Sequence, residues 1–153
     1  MTQNQTVVVA YDGSEEARHA IDGAARILGP RRVDVVHVWE PAASAAARSP
    51  GFADGGNGVF DDLTREERTA EDTADEGARI ARNAGFDVRP IAVETFGPVG
   101  AGLTDYVAKE APALVVVGTR GLSGIRSTVL GSVSHHVAQH AKTPVLIVPG
   151  DQK

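Results

Sequence analysis

The feature that most limits what this chain can fold into is a set of four short apolar runs rich in β-branched residues. They lie at residues 6–10 (TVVVA), 33–38 (VDVVHV), 113–117 (ALVVV) and 145–148 (VLIV), each bounded by Gly, Pro or Asp. A strand with one wet face alternates apolar and polar residues. A nearly continuous apolar run is what a parallel strand buried on both faces requires. A fifth, weaker run at 88–96 contains Arg89 and Pro90. Proline has no N–H for a sheet ladder, so this strand is expected near a sheet edge.

Helical patterns separate the runs. Ala17, Ala20, Ile21, Ala24 and Leu28 recur at helical spacing. Ser14 can cap that helix, Glu15 and Glu16 suit its positive end, and Gly29-Pro30 stops it. A second helix is expected over 61–84, with Gly85 as its cap. A third covers 99–110, with Val99, Leu103 and Val107 on one face. A fourth starts near Ser132, with Val133, Val137 and Ala141 inward. The alternation β-α-β-α-β-α-β-α-β predicts an α/β fold: a three-layer α/β/α sandwich around a five-stranded parallel sheet. Segment 41–58 is rich in Ala, Gly and Ser, shows no period, and reads as a mobile loop, either functional or disordered. With no internal repeat and no boundary, residues 1–153 are expected to form a single domain.

Composition narrows the function. Apolar residues make up 42% and charged residues 23%, as in globular proteins. The net charge is -5 with the signs interleaved, and no block of Lys and Arg forms a nucleic-acid footprint. There is no cysteine, which excludes disulfides, thiolate metal sites and cysteine nucleophiles. Residues 1–10 lack a signal-peptide pattern, and no apolar run is long enough to cross a bilayer. The expectation is a soluble cytoplasmic protein with no membrane partner.

In open parallel sheets, ligands bind at the carboxyl ends of the strands, where the winding reverses. After the first run comes Ala10-Tyr11-Asp12-Gly13-Ser14. After the run at 113–117 comes Gly118-Thr119-Arg120-Gly121, followed by Gly131-Ser132. The spacing is Gly-x2-Gly-x9-Gly-Ser. A phosphate chain needs unhindered backbone N–H groups aimed at it, and glycine lets the backbone approach closely. Gly131 and Ser132 open the last helix, whose N-terminus offers free N–H donors and partial positive charge. The Ser132 hydroxyl can add a hydrogen bond, and Arg120 or Arg126 can pair with outer phosphates. The pattern is neither a Walker A loop nor a dinucleotide fingerprint.

Plainer readings exist for several of these residues. The glycines and serine could make only a tight turn and a cap, and Asp12 before Gly13 could be a turn residue. His37 reads as a satisfied, half-buried histidine and Trp39 as packing. His136 and His140, beside His135, stand four apart. They lack a third ligand for zinc and read as a solvated helix face.

With these motifs in place, the chain resembles the universal stress protein family. The Gly-x2-Gly-x9-Gly-Ser pattern is similar to the signature of its ATP-binding branch. Val8 through Ser14 resembles the family's opening strand and aspartate, Val36-His37-Val38 its second strand, Gly97-Pro98 the start of its third helix, and Thr143 through Pro149 its closing strand. The resemblance implies a Rossmann-like strand order 3-2-1-4-5, with Asp12 beside Gly118. It implies that Asp12 contacts the ribose and helps hold a metal ion, and that the Val38 backbone reads the adenine edge. Ala10 and Tyr11 would flank the base, and Gly118, Gly121, Gly131, Ser132 and Val133 would bind phosphate. ATP, or another adenine nucleotide, with Mg²⁺ or Mn²⁺ is the implied ligand. A homodimer through the last strand, Val145–Val148, and an unidentified regulatory protein partner in a stress response are implied too. No P-loop lysine is present, so hydrolysis is expected to be slow at most. A branch of the family that binds no nucleotide lacks the glycine motif.

Overall fold

A computed structural model describes residues 4–49, 59–120 and 130–150, with 59–61 as backbone alone. The elements follow in the order β1 (Val7–Ala10), α1 (Glu15–Leu28), β2 (Arg32–Trp39), α2 (Ala42–Ala47), α3 (Val59–Asn83), β3 (Asp87–Glu94), α4 (Val99–Glu110), β4 (Leu114–Gly118), α5 (Ser132–His140) and β5 (Val145–Val148).

All five strands pair in parallel in the order β3-β2-β1-β4-β5. Val9 stands opposite both Val35 and Val116, and Val116 opposite Leu146. Strand alternation splits the apolar side chains between two faces. Val7, Val9, Val33, Val35 and Val116 pack with Ala17, Ala20, Ile21 and Ala24 of α1 and Ala81 of α3. Val8, Val36, Val38, Val115 and Val117 pack with Leu103 and Val107 of α4 and Val137 of α5. Both faces are thus covered, which is why the strands read as unbroken apolar runs. The winding moves outward from β1 to β3, then returns through α4 to β4 beside β1. The switch point lies between β1 and β4.

Asp34 interrupts the apolar run of β2 and is buried. Arg89 of β3 meets it with two hydrogen bonds, Nε to Oδ1 at 3.0 Å and Nη2 to Oδ2 at 2.7 Å. The Tyr106 hydroxyl of α4 donates to Oδ2 at 3.2 Å. Burial first, and then the charge of Asp34, push the Tyr106 phenol up to about 12. This network fastens α4 to β2 and β3, away from the carboxyl ends.

The two edge strands differ. The N–H groups of Asp87 and Thr95 donate to Arg31 and Trp39, at 3.0 and 2.9 Å. The odd-numbered residues of β3 therefore face β2, and Pro90 faces outward, where its missing donor costs no ladder bond. On the far side, Val115 N–H donates to Pro144 O and Thr119 N–H to Val148 O, at 2.9 and 3.2 Å. The backbone groups of Val145 and Ile147 consequently point outward from β5.

One expectation is corrected. Segment 41–58 is not loop throughout, because Ala42–Ala47 forms the short helix α2. Alanine favours helix without needing an apolar stripe, and none of these residues is buried. Residues 50–58 lie outside the described residues. The helix read over 61–84 begins earlier, as α3 at Val59.

Candidate functional site

At the end of β1 the chain turns into α1 through Asp12, Gly13 and Ser14. Gly13 has φ +84, a left-handed conformation that side chains disfavour. Asp12 Oδ1 accepts the Ser14 N–H at 2.9 Å, an Asx turn that fixes the carboxylate at the strand end. Ser14 Oγ then accepts the Ala17 N–H at 3.1 Å and caps α1.

At the end of β4, Gly118 passes close to the start of α1. A Cβ there would lie 3.1 Å from the Glu16 carbonyl oxygen. Two bonds tie α5 to this strand end. The Ser134 hydroxyl donates to Gly118 O, and the Gly131 N–H donates to Thr119 O at 2.7 Å. Helix α5 then starts with Gly131 as N-cap. No side chain among the described residues caps it, and its first turn carries no acid. Its leading N–H groups are therefore open to an external acceptor.

These strand ends and helix starts enclose a cavity of about 560 Å³, within the range of small-molecule sites. Ala10, Tyr11, Asp12, Val38, Gly118, Arg120, Gly131, Ser132 and Val133 all line it. Residues separated by more than a hundred positions in sequence are brought together at the switch point. Gly121 and Arg126 lie outside the described residues.

Tyr11 is more committed than the sequence reading allowed. The Tyr11 hydroxyl donates to Glu76 Oε1 at 2.6 Å and accepts from Arg18 Nε at 3.3 Å, between α1 and α3. Tyr11 borders the cavity, yet its hydroxyl is engaged on the α1–α3 side. Burial is the main cause that pushes its phenol up. The Tyr11 hydroxyl and the Arg18 guanidinium hold the Glu76 carboxyl below its usual range. His37 donates from Nδ1 to the Tyr11 carbonyl at 2.9 Å, a satisfied histidine as read from the sequence.

His136 is where the sequence reading fails. It is half-buried and lines the cavity, not a solvated face. Gly100 of α4 makes the room: a Cβ there would stand 2.9 Å from the His136 Cβ. Only the pairing of α4 with α5 reveals this. Pro98, Val99 and Leu103 of α4 also line the cavity, and the Gly97-Pro98 start of that helix was the available sequence signal. Among the described residues no three His, Cys, Asp or Glu side chains gather as a metal site, and no helix is long and apolar enough to cross a membrane.

Residues 3–149 match the model of the universal stress protein family. Universal stress protein Rv1636 of Mycobacterium tuberculosis is 34% identical over 157 aligned positions, covering 97% of this chain and 98% of that protein. A universal stress protein solved in complex with cAMP superposes with a TM-score of 0.63 at 26% identity, over 98% of this chain and 100% of that one. An Arabidopsis thaliana family protein, At3g01520, solved with AMP bound, gives a TM-score of 0.64 at 16% identity, over 96% and 92% of the two chains.

Proposed function

The chain belongs to the universal stress protein family, and from that premise we propose that it is a nucleotide-binding module whose ligand is ATP. One observation carries the reading. The uncapped N-terminus of α5 opens onto a cavity at the switch point. Helix α4 also starts uncapped, but α5 adds the glycine N-cap and the adjoining Gly118 strand end, and a polyphosphate can take several of its N–H donors at once. The adenine nucleotides bound by the cAMP and AMP relatives support the same ligand class.

In this reading the phosphates lie against Gly118, Gly131, Ser132 and Val133. Arg120 neutralises outer charge. Asp12, held by its Asx turn, accepts a ribose hydroxyl. The base lies against Ala10, Tyr11 and Val38, in the apolar part of the wall. A Mg²⁺ or Mn²⁺ ion would arrive with the phosphates and screen their charge. Among the described lining residues Asp12 is the one carboxylate able to join it. The sequence carries no P-loop lysine for fast phosphoryl transfer, and the module is read as signalling by occupancy. Nucleotide binding biases a surface that a regulatory protein reads under stress. The outward backbone groups of β5 pair with a second copy, giving a homodimer that light scattering at micromolar concentration would detect.

The first test is chromatography of the small molecules released on denaturation, with calorimetric titration of ATP, ADP, AMP and cAMP in Mg²⁺. Stoichiometric ATP, or ATP binding tighter than the others, is expected. An empty protein that takes up none of the four removes the proposal.

A further inference from the structure

We infer that His136 is a specificity-determining residue of this cavity, one that presents a hydrogen-bond acceptor to the exocyclic amine of a bound base. The inference rests on the nucleotide reading above. His136 lies one turn beyond Ser132 on the same face of α5, and both line the cavity.

The ring is held from its edge and from one face. On the edge, a Cβ at Gly100 would stand 3.3 Å from Cδ2, so this side of the imidazole rests on α4. The adjoining Nε2 is 3.5 Å from Thr104 Oγ1. That hydroxyl lies 3.2 Å from Gly100 O and 3.0 Å from Ala101 O. Its single proton goes to one of these carbonyls, and its oxygen is left to accept. The matching tautomer carries the proton on Nε2 and keeps the lone pair on Nδ1. On the face, the His140 ring stacks with centroids 4.2 Å apart and planes at 22°. His140 is itself tied down, donating from Nδ1 to His136 O at 2.9 Å.

The acceptor edge, Nδ1 and Cε1, is therefore turned away from α4. The cavity wall nearby is apolar, formed by Val38, Val99, Leu103 and Val133. Two imidazoles line the described wall, His37 beside Val38 with its Nδ1 given to the Tyr11 carbonyl, and His136, whose Nδ1 a base laid against Val38 can meet. An amine on the base supplies the N–H that Nδ1 needs. A carbonyl at the same position sets lone pair against lone pair. Adenine is thereby preferred to hypoxanthine, which differs by that one exchange.

The test is parallel titration with ATP and inosine triphosphate. The unaltered protein should prefer ATP by roughly tenfold, the value of one neutral hydrogen bond. His136→Phe keeps a flat ring without nitrogen and should bring the two affinities within about twofold, by weakening ATP. A preference unchanged in His136→Phe overturns the inference. Should that variant fail to fold, side-chain ¹⁵N spectra of the unaltered protein decide instead. ATP should move the His136 Nδ1 resonance and inosine triphosphate should not, and a resonance unmoved by ATP overturns the inference. Binding of ATP without discrimination removes the role of His136 alone. Binding of neither nucleotide removes the nucleotide reading itself.

Discussion

Helices α1 and α5 both start at the carboxyl end of the same sheet, yet their first turns are finished in opposite ways. Helix α1 is closed. Ser14 caps it, Glu15 and Glu16 lie in its first turn, and Arg18 ties it to Glu76 of α3 at 2.6 Å. Ser14, Glu15 and Glu16 answer the helix dipole from within the chain, and Arg18 fastens α1 to α3. Helix α5 has a glycine N-cap, no side-chain cap among the described residues and no acid in its first turn. The contrast is what supports the proposed anion site at α5. A helix start that supplies its own negative charge stabilises the fold, and one that leaves its donors open stabilises a ligand.

The contrast can be broken most strongly at Gly131. Its backbone, at φ -61 and ψ 162, already has the extended geometry of a capping residue. Gly131→Asp should raise the urea midpoint slightly and weaken ATP about a hundredfold, through lost donors and charge repulsion. Affinity that survives this change would place the phosphates elsewhere. The reverse experiment is Ser14→Ala, which should cost about 1 kcal/mol of stability in urea. ATP affinity should change there by less than about twofold, because the α1 donors are not the phosphate site. The smallest effect concerns pH. Tyr11 and Arg18 hold the Glu76 carboxyl below its usual range in the folded state. Its contribution is present above the usual carboxylate range and is lost as pH falls through the lowered value. Glu76→Gln should therefore unfold with a flatter dependence on pH in acid than the unaltered protein, as followed by circular dichroism. Equal slopes would show that the α1–α3 tie adds nothing.

The parallel sheet was legible because burial on both faces leaves a composition signal in each strand, and Pro90 marked the edge through its missing donor. Gly118 was legible too, since its backbone passes within reach of the Glu16 carbonyl and leaves no room for a side chain. Helix α2 was not. Six residues that bury nothing produce no period, so propensity alone had to carry it. His136 was read wrongly because its exposure depends on Gly100, in another helix, having no side chain. The engagement of the Tyr11 hydroxyl was hidden for the same kind of reason, since Glu76 lies 65 residues away. Residues whose role is set by their own backbone can be read locally. Residues whose role is set by a neighbour's missing or distant atoms cannot.

The unlike edges of the sheet have a consequence for assembly. Pro90 gives the β3 edge no outward donor at its centre, whereas β5 turns the N–H and C=O groups of Val145 and Ile147 outward. A sheet with two adhesive margins can add copies head to tail without limit and grow into fibres. A sheet with one behaves as a monovalent particle. Once two copies meet margin to margin about a twofold axis, no valence is left, and growth terminates at the pair. In the proposed homodimer, Pro90 would leave the margin opposite the contact with a gap in its outward donors.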